Sequence, residues 1–166
     1  MRQAYGIAIL KGIYHKGTNV IIHGPGTFIG KKQLVIGDHV RIGNNAYFNA
    51  LGGINIGCNT QISRNVTIYS ANHKYDGRAI PYDDTYNMKK VSIGESVWIG
   101  MNVMILPGVT IGNGAIIGMG TVVTKDVEPG AIVVGASMRK IGTRDMEEFI
   151  NLKMKDKHFA KLYPKL

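Results

Sequence analysis

Between Ile93 and Val127 an aliphatic residue recurs every six positions without interruption: Ile93, Ile99, Ile105, Ile111, Ile117 and Val123. Four residues after each comes a second small or aliphatic residue: Val97, Val103, Val109, Ala115, Thr121 or Val127. A residue of the second set and the next of the first lie two apart, the spacing of side chains on one face of a strand. The pattern predicts very short strands with one buried face, each followed by a corner. The corner positions are Ser96, Asn102, Gly108, Gly114, Gly120 and Asp126, types that accept positive φ at low cost. An amphipathic helix needs apolar recurrence near about 3.6 residues, and hairpins need longer strands. Stacked coils of a parallel β-helix satisfy the pattern by burying the inward pairs and running backbone ladders from coil to coil.

The same spacing reaches back toward the N-terminus. Ile36, Ile42 and Phe48 form one set, with Val40 and Ala46; Ile56, Ile62 and Ile68 form another, with Thr60 and Val66. The sets are offset by two residues around Gly52-Gly53, a small corner insertion. Residues 69–92 lack the rhythm and carry Pro81, Asp76, Asp83, Asp84 and several tyrosines, so they read as a loop thrown out of the solenoid. Loops of this length in a compact repeat are usually functional. Asp145 with Glu148 resembles a helix-capping pair, predicting a C-terminal helix over residues 143–163 with Met146, Phe149, Ile150 and Met154 as its apolar positions, extending to Phe159 and Leu162. Packed on the last coil, it is expected to cover the open end. Residues 1–28 read as a lead-in, residues 29–137 as the β-helix, and the whole chain as one domain.

Charge adds one feature. Residues 1–66 carry seven Lys or Arg against Asp38 alone, and the last thirty residues carry eight against four, within a net charge of +9. Basic ends suit an anionic ligand or peripheral contact with an anionic membrane surface, or simply solubility. The apolar stretch near the N-terminus is too short to span a bilayer and lacks a secretory cleavage pattern. Cys58 is the single cysteine, which excludes an internal disulfide, and the cytoplasm is the expected location. No aromatic-interleaved basic motif points to nucleic acid, and no histidine pair has zinc-ligand spacing, so no metal is expected.

Three segments are specific enough to carry a resemblance: SANHKYDG at residues 70–77, SVWIGMNVMILPGVTIGNGAIIGMGTVVTKD at 96–126 and VVGASMRKIG at 133–142. Together with the repeat, they resemble the hexapeptide-repeat acyltransferases. The nearest branch holds galactoside, maltose and xenobiotic acetyltransferases and the O-acetyltransferases of capsule and lipopolysaccharide assembly. The resemblance implies an all-β fold, a left-handed parallel β-helix. It also implies a homotrimer with active sites between subunits, and acetyl-CoA as co-substrate.

By the same resemblance His73 is the catalytic histidine. Imidazole suits the task, because an alcohol attacking a thioester sheds its proton in the transition state and a base titrating near neutrality takes it. His15, His23, His39 and His158 lack such context. Tyr47 and Asn49, in GNNAYFN, match acceptor-binding residues of the galactoside branch, while Gly52-Gly53 stands where that branch carries an acidic pair. Asn72, Tyr75, Asp76 and Tyr86 flank the histidine as further acceptor candidates. Trp98, Met101, Met119, Thr124, Lys125 and Arg139 fall where the family contacts CoA. Lys125 and Arg139 suit its phosphates, Trp98 and the methionines its pantetheine arm; Ser137 stands where the family often has Pro.

Three functional classes stay open at this level. They are a sugar O-acetyltransferase of cell-envelope polysaccharide or its lipid-linked precursor; a xenobiotic O-acetyltransferase or sugar-nucleotide N-acetyltransferase; and a non-catalytic β-helix scaffold.

Overall fold

The computed structural model describes residues 2–76, 78, 80–136, 138–158 and 161. The chain winds about six coils of a parallel β-solenoid with three walls. The first wall stacks His15–Lys16, Leu34–Ile36, Ile54–Ile56, Val91–Ile93 and Thr110–Ile111. Ile21–Ile22, Arg41–Ile42, Gln61–Ile62, Trp98–Ile99, Ile116–Ile117 and Ala131–Val134 form the second. The third is built from Gly26–Ile29, Ala46–Asn49, Thr67–Tyr69, Met104–Ile105 and Val122–Val123.

Each hexad contributes one wall. Both recurring positions point inward: Val97 and Ile99 are buried while Trp98 between them is exposed, and every later pair through Thr121 and Val123 is buried with an exposed or half-buried residue between its members, as is Val127. The strict hexad region closes a coil every 18 residues, pairing Ser92 with Thr110 and Trp98 with Ile116. The earlier coils take 20, pairing Leu34 with Ile54 and Tyr47 with Thr67, which accounts for the two-residue offset seen in the sequence. Burying one such isoleucine stabilises by roughly 1.5–3 kcal/mol, so the strands hold despite their length.

The corners behave as their residue types require. Ser96, Asn102, Gly108, Gly114 and Gly120 all have positive φ, between 54° and 90°. Asp126 does not; its carboxylate instead accepts a 2.7 Å hydrogen bond from the Thr110 N–H of the preceding coil. At one edge the asparagines stack into a ladder, Asn45 Nδ2 donating to Asn65 Oδ1 at 3.1 Å and Asn65 Nδ2 to Asn102 Oδ1 at 2.9 Å.

The ends differ from expectation. Within the lead-in, Arg2–Leu10 is a helix whose Ile9 and Leu10 pack on the core, with Ile13 buried behind them, so the first coil is covered. At the other end, Arg139–Thr143 turns back antiparallel on Ala131–Val134 and ends the parallel stack of the second wall. The C-terminal helix is Met146–Met154, capped by Asp145, which accepts from the N–H groups of Glu147 and Glu148 at 3.0 Å. It does not sit over the open end. Met146 lies against Gly130, Phe149 against Gly114, and Lys153 pairs with Glu95, so the helix runs down the outside of the solenoid toward earlier coils. None of its residues is buried. Phe159, Leu162 and Ser137 lie outside the described residues. Among the described residues no helix is long and apolar enough to cross a membrane.

Candidate active site

The segment without hexad rhythm is not a bare loop. After Tyr69 the chain leaves the third wall, and Ala71–His73 pairs antiparallel with Tyr86–Met88 in a two-stranded ribbon. Its base is fastened by Ser70, whose hydroxyl donates to the Asn49 carbonyl at 2.8 Å and accepts from the Gly52 N–H at 3.0 Å. The Ser70 carbonyl accepts from the Lys89 N–H at 2.8 Å. A β-carbon on Gly52 would lie 2.1 Å from that carbonyl oxygen, so the Gly52-Gly53 corner is what allows the ribbon to leave the wall here.

His73 stands directly across the ribbon from Tyr86. Its half-buried ring lies between Tyr82, centroids 4.1 Å apart and nearly parallel at 23°, and Tyr86, at 4.2 Å. Nδ1 is 2.9 Å from the Asp83 carbonyl oxygen. A carbonyl only accepts, so Nδ1 carries the hydrogen and, in the neutral ring, Nε2 keeps its lone pair. Asp83 is itself held firmly. Its carboxylate accepts from the Arg78 N–H at 2.8 Å, from the Thr85 N–H at 2.9 Å and from the Thr85 hydroxyl at 2.6 Å. Those bonds, the Thr85 hydroxyl first, lower its pKa to about 2. The arrangement holds the imidazole in one tautomer and one ring plane and leaves Nε2 able to accept a proton. Tyr82, Asp83 and Thr85 escape a reading of the sequence as site residues. The Asp83-x-Thr85 spacing does suggest a local turn, but a backbone carbonyl that orients a histidine leaves no residue-type signature.

The other candidates distribute unevenly. Tyr47 lies on the outer face of the third wall, stacked on Tyr69 at 5.6 Å. A hydrogen bond between the two hydroxyls, with partial burial, raises the Tyr69 phenol above its ordinary pKa. Asn49 ends a strand of the third wall and is buried, its Oδ1 accepting from the Leu51 N–H at 3.3 Å. Asn72 pairs with Asn87 and so lies on the opposite face of the ribbon from His73. Tyr75 and Asp76 are exposed on the ribbon's outer part.

Within one chain the donor candidates fall into two groups. Met101 and Met119 stack at the corner between the second and third walls, the Gly120 N–H donating to the Met101 carbonyl at 2.8 Å. Arg139 pairs with Val134 one coil further on, while Trp98 is exposed on the second wall. Thr124 and Lys125 follow Val122–Val123 at the far corner of the third wall, the side from which the ribbon departs. Trp98 also lines a cavity of about 840 Å³ between the second wall and the C-terminal helix, with Arg144, Phe149, Leu152 and Lys157. His73 does not line it. No group of three or more His, Cys, Asp or Glu among the described residues could hold a metal ion.

Two family models match the chain: bacterial transferase hexapeptide (six repeats) over residues 90–125, and the hexapeptide repeat of succinyl-transferase over residues 33–70. The nodulation protein L of Rhizobium meliloti is 36% identical over 143 residues, covering 84% of this chain and 76% of that protein. A maltose O-acetyltransferase structure from Clostridium difficile superposes with a TM-score of 0.74 at 30% identity, covering 82% of this chain and 73% of the other. A hexapeptide-repeat acetyltransferase structure from Vibrio cholerae gives 0.77 at 29% identity, covering 85% and 80%. The chain spans from about half to three quarters of the length of the first curated relatives it matches, 46% of one and 76% of another.

Proposed function

Since the chain belongs to the hexapeptide-repeat transferase family, we propose that it is an acetyl-CoA-dependent O-acetyltransferase acting on a sugar hydroxyl in the cytoplasm. The acceptor class we infer is cell-envelope polysaccharide of the capsule or lipopolysaccharide type, or its lipid-linked precursor. The observation that carries the reading is His73, stacked between two tyrosines with its Nδ1–H on the Asp83 carbonyl and Nε2 left as the base.

Nε2 takes the proton as the acceptor oxygen attacks the thioester carbonyl carbon. The tetrahedral oxyanion collapses, the C–S bond breaks, and the imidazolium returns the proton to the departing thiolate. No acyl-enzyme is needed, because a thioester is already activated and holding both reactants beside a base supplies most of the catalysis.

Placing the donor between Lys125 on one subunit and the Met101, Met119 and Arg139 corner of a neighbour would bring the two groups of donor candidates together, which favours a site shared by two subunits; the family resemblance makes the assembly a homotrimer. Tyr47, Tyr75, Asp76 and Tyr86 then line the acceptor side. A retained metal has no part in this chemistry. Light scattering is expected to give three subunits at micromolar concentration.

The test is a screen of purified protein with acetyl-CoA against mono- and disaccharides, an amino sugar nucleotide and chloramphenicol, followed by His73→Ala on the best acceptor. A fall in kcat of roughly 10²–10⁴-fold is expected, with acetyl-CoA binding unchanged. Near-normal turnover by the variant overturns the assignment of the base, and turnover of chloramphenicol alone overturns the acceptor class.

A further inference from the structure

We propose that the N-terminal end of the solenoid is a docking face for an anionic lipid surface. The first 37 residues contain no Asp or Glu, while Arg2, Lys11, Lys16, Lys31 and Lys32 all lie there. The fold gathers the lysines. Lys31 packs on Gly12, and its ammonium reaches the Ile9 carbonyl at the end of the N-terminal helix at 3.5 Å. Lys32 follows in the same 3-10 turn, Lys11 succeeds the helix, and Lys16 ends the outermost strand of the first wall. Lys11, Lys16 and Lys32 are exposed, and no carboxylate among the described residues is within ion-pair distance of any of the four lysines.

Lysines alone could serve to keep an edge strand from pairing with another chain. Two large apolar side chains among them argue for more. Ile7 on the helix is 59% exposed and Tyr14 is 73% exposed. In water both are unfavourable. At a lipid headgroup boundary, an aliphatic side chain one helical turn from Lys11 and an amphipathic aromatic between Lys11 and Lys16 in the chain are in their preferred environment. The charge selects anionic lipid. Docked this way, the molecule presents to lipid the coil farthest from Lys125 and Arg139, leaving the ribbon and His73 free.

Co-sedimentation with phosphatidylcholine vesicles, with and without phosphatidylglycerol at one part in three, tests this on the whole chain. Binding is expected only to the anionic vesicles, falling several-fold between about 0.1 and 0.5 M salt as the lysines are screened. Lys11→Glu with Lys32→Glu, both exposed, is expected to lower partitioning at least tenfold. Ile7→Ser with Tyr14→Ser is expected to lower it several-fold while retaining the salt dependence. The thermal melts of both variants serve as the control for folding. Equal binding to neutral vesicles, or none to either kind, overturns the proposal. So does duplex DNA or RNA that displaces the protein from vesicles at equal phosphate concentration, since that assigns the face to nucleic acid. Because neither vesicle binding nor the four substituted positions involve His73, failure here leaves the transferase reading standing, and the reverse also holds.

Discussion

Asp83 never contacts substrate in the scheme above, yet its removal should slow the enzyme. Its carboxylate gathers three hydrogen bonds from Arg78 and Thr85, and the turn so formed presents the carbonyl that takes the His73 Nδ1–H at 2.9 Å. In Asp83→Ala those three bonds are lost together, the carbonyl is no longer held, and the imidazole can rotate or populate the other tautomer. Displacing a catalytic group by about 1 Å costs on the order of 10²-fold, so kcat is expected to drop roughly 10–100-fold, less than for His73→Ala. KM for acetyl-CoA should stay constant.

The pH profile separates this from a change in the base itself. With its pKa lowered to about 2, the stability contributed by Asp83 is complete above the ordinary carboxylate value of 3.8 and is lost only as pH falls toward 2. An acid limb of the rate at higher pH therefore does not come from Asp83. Asp83→Ala should lower the plateau and keep that limb, whereas His73→Ala should abolish it. Imidazole ¹⁵N spectra supply an independent readout, with the Nδ1–H tautomer dominating in the wild type and a mixture in the variant. Full activity together with an unchanged tautomer would refute the positioning role.

Phe48→Ala deletes a fully buried ring that meets Phe28 edge-on at 5.0 Å, and should cost about 3–5 kcal/mol by denaturant titration; a loss below 1 kcal/mol would mean that the interior collapses around the gap. Asn65 sits at φ 59° in the middle of the asparagine ladder. Asn65→Gly should remove the two ladder bonds alone, and Asn65→Ala should cost about a further 1 kcal/mol for the left-handed backbone, so equal melting temperatures for the two would contradict the conformational argument. Lys125→Ala and Arg139→Ala should each raise KM for acetyl-CoA and largely spare kcat, as loss of a remote phosphate contact does; unchanged KM in both would move the donor elsewhere.

Much of this molecule follows from spacing alone. An inward pair every six residues, with Gly, Asn or Ser at the corner, leaves the backbone few alternatives, because the repeat buries its apolar positions only when coils stack. The coils, their corners, the two-residue offset near Gly52 and the exit of the chain after Ile68 were therefore legible locally. His73 stood out as a candidate through a motif rather than through chemistry that spacing could reveal.

What tertiary structure alone decided is where separate segments meet. The amphipathic stripe of Met146–Met154 announced a helix without saying what it packs on, and the solenoid's side offered contacts at Gly114, Gly130 and Glu95. The N-terminal helix was invisible because Ile9 and Leu10 find their partners only in the first coil. Asn72 and His73 are adjacent in sequence, yet the alternation of a strand turns them to opposite faces. The partners of His73, two tyrosine rings and one backbone carbonyl, come together only when the ribbon folds back on itself, since neither stacking nor a carbonyl's direction is written in residue types.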